Sequence, residues 1–371
     1  MTATRGLLRK LLAVAIAALC APGALVTAAQ TQEGPRSVGP GRCGSVDPAL
    51  SGPAAGDRDA TLLLSATGAA GSDTGPLSFP VDQLIRRLVI IATFDGTGGT
   101  LDVVASDETA VEANEQIQDA RTACGRSLVI DRPNGGVWQA TPSASGRFSL
   151  RVHGVSDFDV AIAEFVENGA ALAHSGSSRI AGQPVAGRPG TLGVSMSGPV
   201  MQSYEFALVS EQGRVIEPLT LTRVSELRWE GAINVPREPF RIAVSGEDQS
   251  EARFQRWSKV PFQPELVEVR APSGVAEVQA GAESRLAFTI RNFGSETASF
   301  GVAASDERRF VTRVEPALLE LAAGAEQQVT VWLKVPASAV AGRADQVTVT
   351  ATSIGSRPTS NTATMRVGFR E

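Results

Sequence analysis

The feature that most constrains this chain is that its apolar residues come almost entirely in short runs. From Thr61 onwards the runs are rich in Val, Ile, Thr and Phe and are closed by Gly, Pro, Asn, Asp or Ser. TLLLSA (61–66), LIRRLVIIATF (84–94), TLDVVAS (100–106), GRFSLRVHGV (146–155), LRWEGAINV (227–235) and EQQVTVWLKVP (326–336) are examples. Runs of that length and residue type, punctuated by turn formers, specify strands. Several of them alternate apolar with polar residues, as half-buried antiparallel strands do. The expectation is an all-β chain of tandem β-sandwiches.

One stretch departs from the pattern. Residues 107–121 place Thr109 three positions before Glu112, as in a capping box, and Ala110, Ala113, Ile117, Ala120 and Cys124 recur at helical spacing. They read either as one short helix delivering Cys124 to the core or as a solvated loop.

The N-terminus has its own logic. Arg5, Arg9 and Lys10 precede an apolar stretch from Leu11 to Val26, and small residues follow at Ala28 and Ala29. This is the order of a secretory signal cleaved after Ala28 or Ala29. Pro22-Gly23 interrupts the apolar stretch, which is then too short for a membrane anchor, and Leu19 before Cys20 does not fit a lipobox. Residues 29–58 are dense in Gly, Pro and Ser without apolar period and read as an extended arm. The divisions that follow are a sandwich at 59–167, a second, Ig-like sandwich at 168–263 and an Ig-like sandwich at 264–371. Seven strand-like runs fill the last of these, as in immunoglobulin folds.

Charge and cysteines narrow the partners. With 34 Lys+Arg against 39 Asp+Glu the chain carries −5, and losing the three basic residues of the signal takes it to −8. That balance argues against nucleic acid as a partner. Signal cleavage also leaves no segment to insert in a membrane. After cleavage two cysteines remain, Cys43 and Cys124, in a compartment where disulfides persist. One bridge between them would tie the arm to the first sandwich and is worth about 4–5 kcal/mol by chain entropy. Two cysteines and two distant histidines do not make a zinc site.

Catalytic constellations are not assembled. His153 lies on the face of its strand opposite Val152, and a surface or edge position is expected; His174 falls in a Gly/Ser-rich linker. GVSMSG (193–198) has Ser197 where a nucleophile elbow needs Gly. Asp157 with Asp159, and Glu247 with Asp248, are carboxylate pairs at turns and strand ends, read as solvated edges. Asp95, Asp102 and Asp107 fit no calcium-loop pattern. No catalytic, cofactor-binding or metal-ligating residue is assigned. Of the tryptophans, Trp229 and Trp332 sit in alternating strands where core packing is the default, and Trp257, beside Arg256 and Lys259 near Pro261, is the one candidate surface contact, with an interdomain wedge as its rival.

Two resemblances add to this reading. PREPFRIAVSGEDQSEARFQRWSKVPFQPELVEV (236–269), with FPVDQLIRRLVIIATF (79–94), RPNGGVWQATPSASGRFSLRVHGVSDFDV (132–160) and GQPVAGRPGTLGVSMSG (182–198) upstream in the same order, resembles the region following the von Willebrand factor A domain in hemicentins and VWA7-type proteins. It spans about 77–269. Residues 270–371, with NFG (292–294) ahead of LELAAGAEQQVTVWLKVPASAVAG (319–342), are similar to Ig-like modules at the ends of secreted bacterial proteins. The A domain's D-x-S-x-S metal site is missing; FDGTGGT (94–100) lacks the serines. The resemblance therefore implies an adhesive setting without the adhesion metal. The expected function is a secreted or periplasmic, non-catalytic binding or scaffolding protein facing a protein or matrix partner. The alternative is a carbohydrate-binding accessory protein of a glycan-degrading system.

Overall fold

The computed structural model describes residues 60–69, 75–168, 177–355 and 358–370. Among them there are strands and turns and no α-helix. The first sandwich is built from β1 (Ala60–Gly68), β2 (Leu77–Val81), β3 (Arg87–Phe94), β4 (Thr100–Val104), β5 (Ile117–Thr122), β6 (Gly125–Asp131), β7 (Gly136–Ser143) and β8 (Phe148–Val155). The second adds β9 (Asp159–Asn168), β10 (Ser177–Arg179), β11 (Pro189–Ser197), β12 (Glu205–Ser210), β13 (Val215–Leu219), β14 (Thr222–Ser225), β15 (Arg228–Asn234), β16 (Phe240–Glu247) and β17 (Arg253–Trp257). The third comprises β18 (Val267–Arg270), β19 (Ala276–Gln279), β20 (Glu283–Asn292), β21 (Ala298–Asp306), β22 (Val311–Glu315), β23 (Leu318–Leu321), β24 (Glu326–Lys334), β25 (Ala344–Ser353) and β26 (Ser360–Arg370).

The first two sandwiches are not separate bodies. A single nine-stranded sheet, ordered β13-β12-β16-β17-β1-β8-β3-β6-β5, runs through both, because β17 pairs with β1 at Leu62↔Trp257. In the first sandwich this sheet packs on β2-β7-β4, and in the second on β10-β9-β11-β15-β14. β9 thus belongs to the second sandwich, whereas the sequence groups it with the first. Turn residues mark where a strand ends but not which sheet receives it. The third sandwich closes a four-stranded sheet, β18-β20-β24-β22, on a five-stranded one, β19-β26-β25-β21-β23.

Each sandwich has its own core, and the alternation that builds it is visible strand by strand. In β3, Leu88, Ile90, Ala92 and Phe94 enter the first core with Leu64, Leu150 and Trp138. Phe240, Ile242 and Val244 of β16 enter the second, and Val329, Val331 and Leu333 of β24 the third.

The helix offered for residues 107–121 is replaced by a looped excursion ending in β5. The Asp107 carboxylate accepts the backbone N–H of Thr109 at 3.1 Å, and the Asn114 side chain accepts that of Gln116 at 2.8 Å. Side chains that capture nearby amides offer the backbone an alternative to helix. The buried Arg126 then clamps the segment: its guanidinium reaches both oxygens of Asp119, at 3.0 and 2.9 Å, and the Leu101 carbonyl at 2.5 Å. The alanines at helical spacing have too little apolar area to outweigh these bonds.

Candidate functional site

A concavity lies between the second and third sandwiches. Its floor is a junction of backbone and amide hydrogen bonds. Glu265 N–H donates to the Pro184 carbonyl at 2.9 Å, and Ala186 N–H donates to the Glu265 carbonyl at 3.0 Å. Asn361, at the start of β26, accepts from Gln183 N–H at 2.9 Å and donates to the carbonyls of Gln183 and Val267, both at 3.0 Å. Gly182 is what allows this approach, since a Cβ there would lie 2.0 Å from Asn361 Oδ1 and 2.4 Å from the Thr362 carbonyl oxygen. The Glu265 carboxylate adds bonds to the Thr359 hydroxyl and to Ser360 N–H. Four of these backbone or amide contacts involve residues 183–186 of the second sandwich and hold the two sandwiches in register.

Above this floor opens a crevice of about 800 Å³, lined by Arg188, Glu268, Arg270, Ser273, Thr362 and Arg366 among others. Arg188 Nη2 lies 3.4 Å from Glu268 Oε1, and its guanidinium sits 5.7 Å from the centre of the Phe293 ring. Arg291 approaches the same ring at 4.8 Å. Glu268 Oε2 is buried without a hydrogen-bond partner. The lining offers guanidinium donors, hydroxyls and backbone groups, but neither histidine nor cysteine. Such a surface hydrogen-bonds an extended polar ligand; it does not assemble a nucleophile and its base.

A second feature lies on the β20-β24-β22 face of the third sandwich. Trp332 stands between Arg285 and Arg313, which reach it from the two flanking strands with each guanidinium carbon 3.9 Å from the ring centre. Two stacked cations hold the indole in place.

The residues singled out in the sequence are distributed otherwise. Trp257 is not a surface contact: it is 3% exposed and packs in the first core with Leu62, Val209 and Ala243. The reason is β17's place in the interior of the nine-stranded sheet, paired with β1 on one side and β16 on the other. Hydrogen bonding continues past it, with Ser258 N–H donating to the Ile242 carbonyl at 2.8 Å. Cys124 lies in the turn between β5 and β6; Cys43 and His174 lie outside the described residues. His153 does lie opposite Val152, but in a central strand, half-buried between Leu62 and Val89. Burial first, then the Arg151, Arg241 and Lys259 cations, lowers its pKa to about 4.

The carboxylate pairs are each taken up separately. Asp157 pairs with Arg86 at 2.8 Å, and Asp159 with Lys259 at 2.7 Å and the Thr61 hydroxyl. Asp248 accepts the amides of Ser250 and Ala252 in the β16–β17 turn. Among the described residues no three His, Cys, Asp or Glu side chains come together as metal ligands. No described helix is long and apolar enough to cross a membrane.

The junction residues Gly182, Asn361 and Glu265 escaped the sequence reading, as did the Arg285–Trp332–Arg313 stack. A Gly-Gln-Pro linker was the one local sign of a close approach. The partner of each of these residues is far away in the chain.

Comparison with known proteins bears on the C-terminal module. Residues 268–369 match the family of VWA7 Ig-like domains. The match falls where the sequence suggested a bacterial Ig-like module, and it does not extend upstream of residue 268. No curated protein sequence matches the chain. Among solved structures, a DUF4785 family protein from Legionella pneumophila is 11% identical, with 80% of this chain and 86% of that one covered and a TM-score of 0.38. Alpha-2-macroglobulin of E. coli is 13% identical over 83% of this chain and 23% of its own, at 0.28. A Bacillus licheniformis lipase in propeptide form is 10% identical over 54% and 43%, at 0.28. The third sandwich is thus similar to the VWA7 Ig-like domain over residues 268–369, and the first two sandwiches share a sheet.

Proposed function

We propose that this chain is an exported, non-catalytic binding and scaffolding protein that holds an extended polar segment of a protein partner in the crevice between its second and third sandwiches. The observation that carries the reading is the locked junction. Its hydrogen bonds fix the walls of the crevice before any ligand arrives, so that binding loses little to ordering of the site. The donors facing the opening, Arg188 and Arg270, suit backbone carbonyls and carboxylates of a partner. The resemblance of residues 77–269 to the region following the A domain in hemicentin-like proteins favours an adhesive setting, in the periplasm or outside the cell. Export rests on the N-terminal segment, with cleavage expected after Ala28 or Ala29. The carbohydrate reading loses its platform, since Trp257 is buried.

The test is capture from the native envelope and secretome with the mature protein, followed by crosslinking. A partner that crosslinks to the crevice and is lost with Arg188→Glu supports the reading. A partner retained undiminished by Arg188→Glu and crosslinked elsewhere refutes it. N-terminal sequencing of the secreted or periplasmic protein checks export.

A further inference from the structure

The last strand of the third sandwich is paired along nearly its whole length on one side and along less than half of it on the other. β26 runs beside β25 from Ser360 to Gly368 without a register shift. Its other neighbour, β19, meets only Val367–Arg370. The cause is a change of sheet. β18 pairs with β20 in the opposite layer as far as Arg270; the chain then crosses through Ala271-Pro272-Ser273-Gly274, with Gly274 at φ +90°, and joins β26 at Ala276. Thr362–Arg366 are left as an open edge, and they line the crevice together with residues 271–274.

Alternation along β26 decides which backbone groups that edge presents. Phe369 bonds towards β25: its N–H donates to the Arg343 carbonyl and its carbonyl accepts Gly342 N–H, both at 2.9 Å. The Arg370 carbonyl accepts Ala280 N–H at 2.9 Å on the β19 side. In an antiparallel ladder the direction reverses at each residue, so the even-numbered residues of β26 turn away from β25. Thr362 obeys this, its carbonyl lying beside Gly182. The N–H and C=O of Thr364 and the N–H of Arg366 therefore face the open side, and no described strand meets them.

An open edge is a template for another chain. This one is recessed, with Arg188 and Gly190 of the second sandwich on one side and Ser273 on the other. A single extended segment can enter there, whereas the edge of a second folded sheet cannot. Arg366 is exposed and pairs with no carboxylate among the described residues. An acid is the side chain that fits beside it on a neighbouring strand.

We propose, on the reading that this crevice is the binding site, that an extended segment of a partner protein adds to β26 as a strand along Ala363–Arg366, exchanging hydrogen bonds with Thr364 and setting an acidic side chain beside Arg366.

The probes are end-blocked octapeptides of alternating Val and Thr carrying Glu or Lys at one position, titrated against the mature protein. The Glu peptides are expected to bind at least tenfold more tightly than the Lys peptides, and Arg366→Glu to reverse that order. Bound peptide should slow amide exchange at Thr364 and Arg366 at least tenfold. N-methylation at alternate peptide amides should abolish binding, and at the amides between them should not. A peptide that binds in an Arg188-dependent way but leaves both amides unprotected overturns the strand addition and keeps the crevice as the site. Binding that survives both Arg188→Glu and Arg366→Glu overturns both. No binding by any octapeptide overturns the strand addition, and so does a dimer of the chain that protects Thr364 without peptide; the crevice itself then answers to the crosslinking of a captured partner.

Discussion

Arg256 Nη1 lies 2.7 Å from Asp82 Oδ2, and the two side chains, from β17 and from the connection between β2 and β3, are 0% and 1% exposed. Arg256 also donates to the Phe158 carbonyl at 2.8 Å and lies 5.0 Å from that residue's ring. This ion pair ties the second sandwich to the first from the side opposite Trp257.

Removing one partner of a buried pair strands the other charge. Asp82→Ala is expected to cost about 3–5 kcal/mol in chemical denaturation, while the double replacement Asp82→Leu, Arg256→Met costs less than either single change. An additive double mutant would show that the pair is not coupled.

His153 sets a pH dependence. Its pKa is lowered to about 4 by burial and the neighbouring cations, against an ordinary value near 6.5. The unfolded chain therefore binds the proton more readily, so stability rises with pH from about 4 to about 6.5 and falls as pH drops through that window. His153→Gln should flatten this part of a melting-temperature profile.

Asp345 acts with the opposite sign. Burial, then the facing Asp306 carboxylate, raises its pKa, and its Oδ2 finds no hydrogen-bond partner. The stabilising preference for the protonated form is complete below the ordinary aspartate range and is lost as pH rises through the raised value. Asp345→Asn is expected to raise the melting temperature of the third sandwich at pH 7 and to leave it unchanged near pH 3.

The junction predicts a hinge when broken. Gly182→Ala places a methyl against Asn361, and strain of this kind costs about 1–3 kcal/mol. Small-angle scattering should show a larger radius of gyration for Gly182→Ala and Asn361→Ala, with the folds of the individual sandwiches retained by circular dichroism.

How much of this was legible depends on the range of the interaction. The inward set of β3 and the strands of the third sandwich follow from alternation alone, because a strand's period is local. Only the surface reading of Trp257 failed, because its neighbour Leu62 comes from the other end of the first two sandwiches. Residues 107–121 left helix and loop both open because alanine spacing imitates a helical face, while Asp107, Asn114 and Arg126 decide for the loop by hydrogen bonds that no period reports. The crevice was invisible for the same reason: Asn361 and Gln183 are 178 residues apart.

The shared sheet has a consequence for how the chain comes into being. β1, with the wholly apolar Leu62-Leu63-Leu64 in its middle, is flanked by β8 on one side and by β17 on the other. Gln255 Nε2 donates to the Leu63 carbonyl at 2.7 Å across 192 residues. Until Arg253–Trp257 arrives, that side of β1 is an open edge, the kind of template on which other chains add. A chain interrupted before residue 253 is expected to aggregate through TLLLSA, so folding succeeds only when the second sandwich follows the first without delay.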